Sequence, residues 1–117
     1  MVLLCSFNVR GLNFPNKRVR LWNLAKDSQV NFLALQETHL RRIDEGRLRS
    51  KRFPQGFFAF SGSKRCGVAL SVRQHLPFVA DEVRRDREGR WLFVRQRLGL
   101  HRITFVVVCA PNEGQDD

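Results

Sequence analysis

Apolar positions along this chain fall into short blocks whose spacing changes from block to block. "VLLCSFNV", residues 2–9, is a continuous apolar run of the length of a buried strand, and "RGLNF" follows it as a loop. Pro15 stands where a helix would take its first turn. In "PNKRVRLWNLAKDS" the spacing of Val19, Trp22 and Ala25, with Leu21 and Leu24 beside them, predicts a helix whose stripe is core packing. Its early turns carry Lys17, Arg18 and Arg20 at the end where the helix dipole does not favour cations, a cost an adjacent anion would relieve. "VNFLALQ" predicts a second buried strand, so strand, helix and strand imply a right-handed parallel crossover.

The polar, arginine-rich "THLRRIDEGRLRSKRF" predicts a loop with a short helix capped by Asp44. "GFFAFSGS" and "CGVALSV" read as strands joined by a turn at Gly62 to Arg65. The rest reads as a meander with hairpin turns at "DREG" and "LGLH", and with "ITFVVV" as a deeply buried strand. The predicted fold class is α/β (α+β), a mixed β-sheet with helices on one face, in a single domain over residues 1–117.

Charge changes this picture. Lys and Arg number 21 against 11 Asp and Glu, a formal net charge of +10, and most of the cations are arginine. Guanidinium groups match phosphate geometry, so nucleic acid is one reading of this excess; a merely well-solvated basic surface is the other. Cys5, Cys66 and Cys109 are far apart, odd in number and set in apolar runs. That pattern argues against zinc and against disulfides, and for free thiols in a reducing compartment. "MVLLCSF" lacks a basic leader and is soon interrupted by Asn8 and Arg10, so neither a signal peptide nor a membrane span is expected. The expected location is intracellular, nuclear or cytoplasmic.

Candidate chemistry collects at strand ends, where open α/β sheets hold ligands. The first strand ends at Asn8 with Arg10 beyond, the second at Gln36 and Glu37 with His39 beyond, and the last at Cys109 and Asn112. Asn8 and Glu37 would lie side by side, and an amide oxygen beside a carboxylate is a hard half-site for Mg²⁺ completed by waters and substrate phosphate. Equally, Glu37 could pair with a local arginine while Asn8 caps a loop. His39 is placed to touch phosphate; His75 and His101 fall in turn-like contexts. Ser6, Ser61, Ser63 and Ser71 have no base partner, which leaves acyl transfer unsupported.

"SFNVRGLN", "LALQETHL", "CGVALSV", "RRDREGRWLFV" and "FVVVCAPNEG", in this order, resemble the exonuclease III/DNase I-like endonuclease/exonuclease/phosphatase superfamily. The likeness is nearest to the apurinic-type endonuclease domain of LINE-type non-LTR retrotransposon polyproteins. It implies a Mg²⁺-dependent phosphodiesterase built as a four-layer α/β sandwich, with DNA as partner and no small-molecule cofactor. It implies Glu37 as metal ligand, Asn8 ordering metal and phosphate, and Asn112 as the last catalytic match; Arg10, His39, Arg41 and Arg42 are expected as phosphate or DNA contacts from their charge and position alone. Cys109 stands where the family's Tyr-Ala-Pro-Asn motif has its tyrosine, and the chain contains no tyrosine.

The Gly-Asp-x-Asn loop and the Asp-His pair that follow in the family have no counterpart before the sequence ends at Asp117. The chain therefore reads as the N-terminal half of such a domain, inactive alone. Its second sheet is expected to be missing, leaving an apolar face that drives self-association or pairing with a complementary half. The competing readings are a non-catalytic basic module that binds nucleic acid by charge, and a mobile-element remnant without function.

Overall fold

The structure, a computed structural model, describes residues 2–110. The elements in order are β1 (Leu4–Asn8), α1 (Pro15–Ser28), β2 (Phe32–Gln36), a 3-10 helix (Arg42–Leu48), β3 (Gln55–Ala59), β4 (Val68–Val72), β5 (Phe78–Arg85), β6 (Trp91–Leu98) and β7 (His101–Val108). One sheet has the order β1-β2-β4-β3, with β1 and β2 parallel and the other pairs antiparallel. A second, antiparallel sheet has the order β5-β6-β7. The mixed α/β class expected from the sequence is observed, but the expected loss of the second sheet is not: the meander itself supplies one.

The two sheets share a core. Phe32, Ala34, Val68 and Leu70 of the first face Leu92, Val94, Phe105 and Val107 of the second. The Phe32 and Phe105 rings lie 4.7 Å apart between centroids. Leu33, Leu35, Phe58 and Ala69 point the other way, towards α1 and the 3-10 helix, where they meet Leu21, Ala25, Leu40 and Leu48. The described residues thus form three layers, helices on sheet on sheet. "ITFVVV" is not deeply buried throughout: Phe105 and Val107 are inside, while Val106 and Val108 are more than half exposed. A run in which every position is apolar or β-branched gives no alternation to read, and antiparallel pairing with one covered face imposes it.

The helix differs in detail too. Its buried residues are Leu21 and Ala25, with Trp22 stacked on Phe53, whereas Val19 and Leu24 of the expected stripe lie exposed. Pro15 opens the helix as expected. Asp44 does not precede the 3-10 helix as a cap; it sits in its first turn and accepts from the Arg41 backbone N–H at 3.0 Å.

Since β7 packs over β2 and β4, and β5 over β3, the unpaired edges of β1 and β7 open to the same side of the molecule. Val2, Leu3 and Leu4 are exposed there. On the outer face of the second sheet Trp91 pairs with Val108 and Phe93 with Val106, and no helix among the described residues covers them.

One inter-sheet residue is polar. Gln96 lies on the inward face of β6, fully buried, and neither end of its amide has a hydrogen-bond partner. A buried amide without partners costs about 1–3 kcal/mol. Gln96→Met, which keeps the volume and removes both polar atoms, should therefore raise stability by about 1 kcal/mol in urea unfolding. A loss of stability would show that the amide is satisfied in solution.

Candidate metal and phosphate site at the strand ends

The parallel register pairs Asn8 with Gln36, so both chains leave the sheet at the same level. Past β2 the backbone turns through left-handed conformations at Glu37 (φ 55°) and His39 (φ 57°), and past β1 at Arg10 (φ 52°) and Gly11 (φ 96°). Hydrogen bonds continue beyond the strands: the N–H of Gly11 donates to the Glu37 carbonyl at 2.7 Å and that of Leu12 to Thr38 at 2.8 Å. On the opposite side Thr38 donates to the Gly67 carbonyl at 2.9 Å and His39 to Cys66 at 2.8 Å. "ETH" is therefore clamped from both flanks, and a strained backbone persists where its surroundings over-determine it.

This clamp aims the Glu37 side chain at the end of β1. The Asn8 amide Nδ2 donates to Glu37 Oε2 at 2.6 Å, and His39 Nε2 lies 3.6 Å from Oε1. Glu37 is 8% exposed, so its carboxylate sits largely out of water and depends on such partners. Gly11 lies beneath the imidazole: an added Cβ would come within 3.2 Å of His39 Nδ1. The Asn13 amide donates to the His39 carbonyl at 2.8 Å, fixing the same turn from the loop side.

Two of the three crowded cations of α1, Lys17 and Arg18, are accounted for here. Lys17 Nζ donates to the Arg10 carbonyl at 3.0 Å and Arg18 to that of Leu12 at 2.7 Å. They tie the helix start to the loop that follows Asn8, in place of the anion the sequence suggested. A cleft of about 320 Å³ lies between β1 and α1, with Asn8, Phe7 and Leu21 in its wall and Lys17 and Arg20 beside them.

The remaining candidates are more dispersed. Arg10 is exposed next to Asn8. Arg41 is engaged by Asp44, its Nε 3.5 Å from Oδ2, and Arg42 is exposed with its guanidinium over Gly62. Asn112 lies outside the described residues. Thr38, fully buried, and Gly67 were not singled out from the sequence, yet an added Cβ on Gly67 would collide with the Thr38 hydroxyl. The glycine in "CGV" was the available signal for that close approach.

Cysteine pairing departs from expectation. Cys66 and Cys109, separated by 43 positions, form a disulfide with Cα atoms 6.0 Å apart; only Cys5 is free. Spacing cannot reveal a pair that the stacking of two sheets brings together.

The residue that suits a hard cation here is the Glu37 carboxylate, with the Asn8 amide N–H on one of its oxygens and His39 Nε2 near the other. Among the described residues no group of three or more His, Cys, Asp or Glu side chains that could hold a metal ion converges. Nor is any helix among them long and apolar enough to cross a membrane.

Residues 5–114 match the Endonuclease/Exonuclease/phosphatase family. The fold is similar to that of the AP endonuclease LMAP from Leishmania major, at 19% identity and a TM-score of 0.73, covering 96% of this chain and 41% of that one. It is also similar to the APE2 catalytic domain from Xenopus laevis, at 19% identity and a TM-score of 0.69, covering 93% and 45%. A 3′ phosphatase from Neisseria, bound to product DNA hairpin, matches at 20% identity and a TM-score of 0.63, covering 86% and 39%. The chain spans less than half the length of each of these structures.

Asp44 anchors the segment that follows the rim and gives it a pH limit. The Arg41 backbone N–H holds its carboxyl below the usual value of 3.8; burial opposes this, and the charges of Arg47 and Arg41 reinforce it. A depressed folded value means the stabilisation is complete above the unfolded value and disappears as pH falls through the folded one. The difference in thermal midpoint between the parent and Asp44→Asn should be constant at neutral pH and shrink below about pH 4. A difference that persists unchanged into strong acid would remove the carboxylate from this role.

Proposed function

The chain belongs to the endonuclease/exonuclease/phosphatase family, and on that premise we propose that it carries the metal-binding part of a Mg²⁺-dependent phosphodiesterase site for DNA, of the LINE retrotransposon kind that its motifs resemble. The observation that supports this reading is the Asn8–Glu37 contact at 2.6 Å across two parallel strand ends, with His39 at 3.6 Å on the other carboxylate oxygen. Glu37 and the Asn8 amide oxygen would hold the ion, whose contribution when bound is to neutralise charge on a phosphate oxygen. Glu37 supplies the negative charge, Asn8 orients its carboxylate, and His39, partly exposed, faces incoming phosphate. Arg10 and Arg42, both exposed, offer guanidinium groups to the backbone of the nucleic acid. Arg41 would reach phosphate only by giving up part of its contact with Asp44.

Phosphodiester hydrolysis also needs a positioned nucleophile and stabilisation of the leaving oxygen. The rim holds one carboxylate and one amide for the ion, and no further acidic cluster among the described residues. The 117 residues alone should therefore bind DNA and a divalent ion weakly without cutting. In titrations with Mn²⁺ as a probe, Glu37→Gln should weaken binding about tenfold. Plasmid nicking in Mg²⁺ should stay at background for both proteins, and DNA affinity should fall steeply with salt. Nicking abolished by Glu37→Gln would refute inactivity, and equal Mn²⁺ affinity would refute the metal role. Tight DNA binding that ignores salt would refute phosphate recognition.

The open side formed by β1 and β7 supports a further partner. Unpaired strand edges with exposed apolar residues on two stacked sheets suit added strands, and the similar structures contain more than twice this length of chain. In isolation the 117 residues should self-associate through this side. Sedimentation over a wide concentration range should give a rising mean mass; an invariant monomer would refute the proposal.

A further inference from the structure

The disulfide occupies a mechanically distinctive place. Cys66 belongs to the loop that enters β4 of the first sheet, and Cys109 directly follows β7 of the second. The Cys66 carbonyl accepts the His39 N–H, and its neighbour Gly67 accepts from Thr38 and donates to the Gly89 carbonyl at 3.0 Å. The Cys109 N–H donates to the Arg90 carbonyl at 2.7 Å. One covalent bond thus joins the backbone flanking Glu37 to the end of the opposite sheet. Without it, Cys66 would hold its left-handed turn (φ 49°) by hydrogen bonds alone.

We propose that Cys66 and Cys109 are a reversible thiol–disulfide site, responsive to small disulfides of the glutathione type, that fixes the Glu37 rim between the two sheets when oxidised and loosens it when reduced. Cys66 is the point of entry, being half-buried where Cys109 is 5% exposed. Exposed Lys64 and Arg65 immediately before it attract an anionic disulfide. In oxidation the Cys66 thiolate attacks one sulfur of oxidised glutathione. A mixed disulfide forms, the glutathione S–S bond breaks, and one reduced glutathione leaves. The Cys109 thiolate then attacks the Cys66 sulfur and expels the second. The two cysteines lose two electrons and two protons, and the two released glutathione thiols carry them. This site rests on the backbone contacts of the rim and stands whether or not Glu37 holds a metal.

The test is to equilibrate the 117-residue chain at graded ratios of reduced to oxidised glutathione, trap thiols by alkylation, map the peptides and measure amide hydrogen exchange. The Cys66–Cys109 bond should rise and fall with the ratio while Cys5 remains alkylatable. Thr38 and His39 amides should exchange about tenfold more slowly in the oxidised form, with Leu33 and Leu70 in the sheet centre as unchanged references. Cys109→Ser and, as a second variant, Cys66→Ala should abolish the redox response, and Cys5→Ser should keep it. A bond that persists at every ratio, pairing through Cys5, or equal exchange of Thr38 and His39 in both redox states would each overturn the proposal.

Discussion

Burial of one apolar face between two sheets is the constraint from which the rest of the molecule follows. Phe32, Ala34, Val68 and Leu70 can leave water only if β5–β7 fold across them, and Leu92, Val94, Phe105 and Val107 gain their own cover in the same step. Because side chains alternate along a strand, this choice of face also decides what points towards α1, namely Leu33, Leu35 and Ala69. Register is fixed twice over, once by each core. A slip by one residue would exchange the two sets.

The polar rim inherits its geometry from that registration. β1 and β2 end together, β4 begins and β7 ends at the same level, and the β5–β6 turn reaches over from the second sheet. The segment around Glu37 consequently has backbone partners on both flanks, and Glu37 and His39 hold left-handed conformations although neither is glycine. A buried carboxylate at this place is tolerable because Asn8, carried by the neighbouring strand, already presents its amide. The hydrophobic layers thus place the charged group, and the charged group does not organise the layers.

What the sequence revealed and what it hid divide along physical lines. Asn8 and Glu37 were legible as neighbours because two short apolar runs flank a helix with a proline at its start, and a parallel crossover has few alternatives. The hairpin turns at "DREG" and "LGLH" were legible from their glycines. The helix face was legible in part: Trp22 and Ala25 of the expected stripe pack inward, while Val19 is exposed and tertiary packing buries Leu21 instead. The second sheet was hidden because strands that pair within the meander give no local sign that they stack on a distant layer. The Cys66–Cys109 pair was hidden for the same reason, and the alternation of "ITFVVV" because every position in it is apolar or β-branched. Asn112, the last of the candidate residues, lies outside the described part of the chain.

Two tight turns of the second sheet show how differently its ends can tolerate change. At Gly99, between β6 and β7, an added side chain would meet nothing within 4 Å, and Leu100 beside it is fully exposed. At Gly89, between β5 and β6, a Cβ would press within 2.9 Å of the Ala59 carbonyl and 3.2 Å of the Gly67 nitrogen. Hairpin tips are ordinarily where lineages lengthen or shorten a chain and where engineers splice in new sequence. Here only the Gly99 end is open to such grafting. The Gly89 tip is a peg seated in the other sheet, so its length can drift only if the loop before β4 drifts with it.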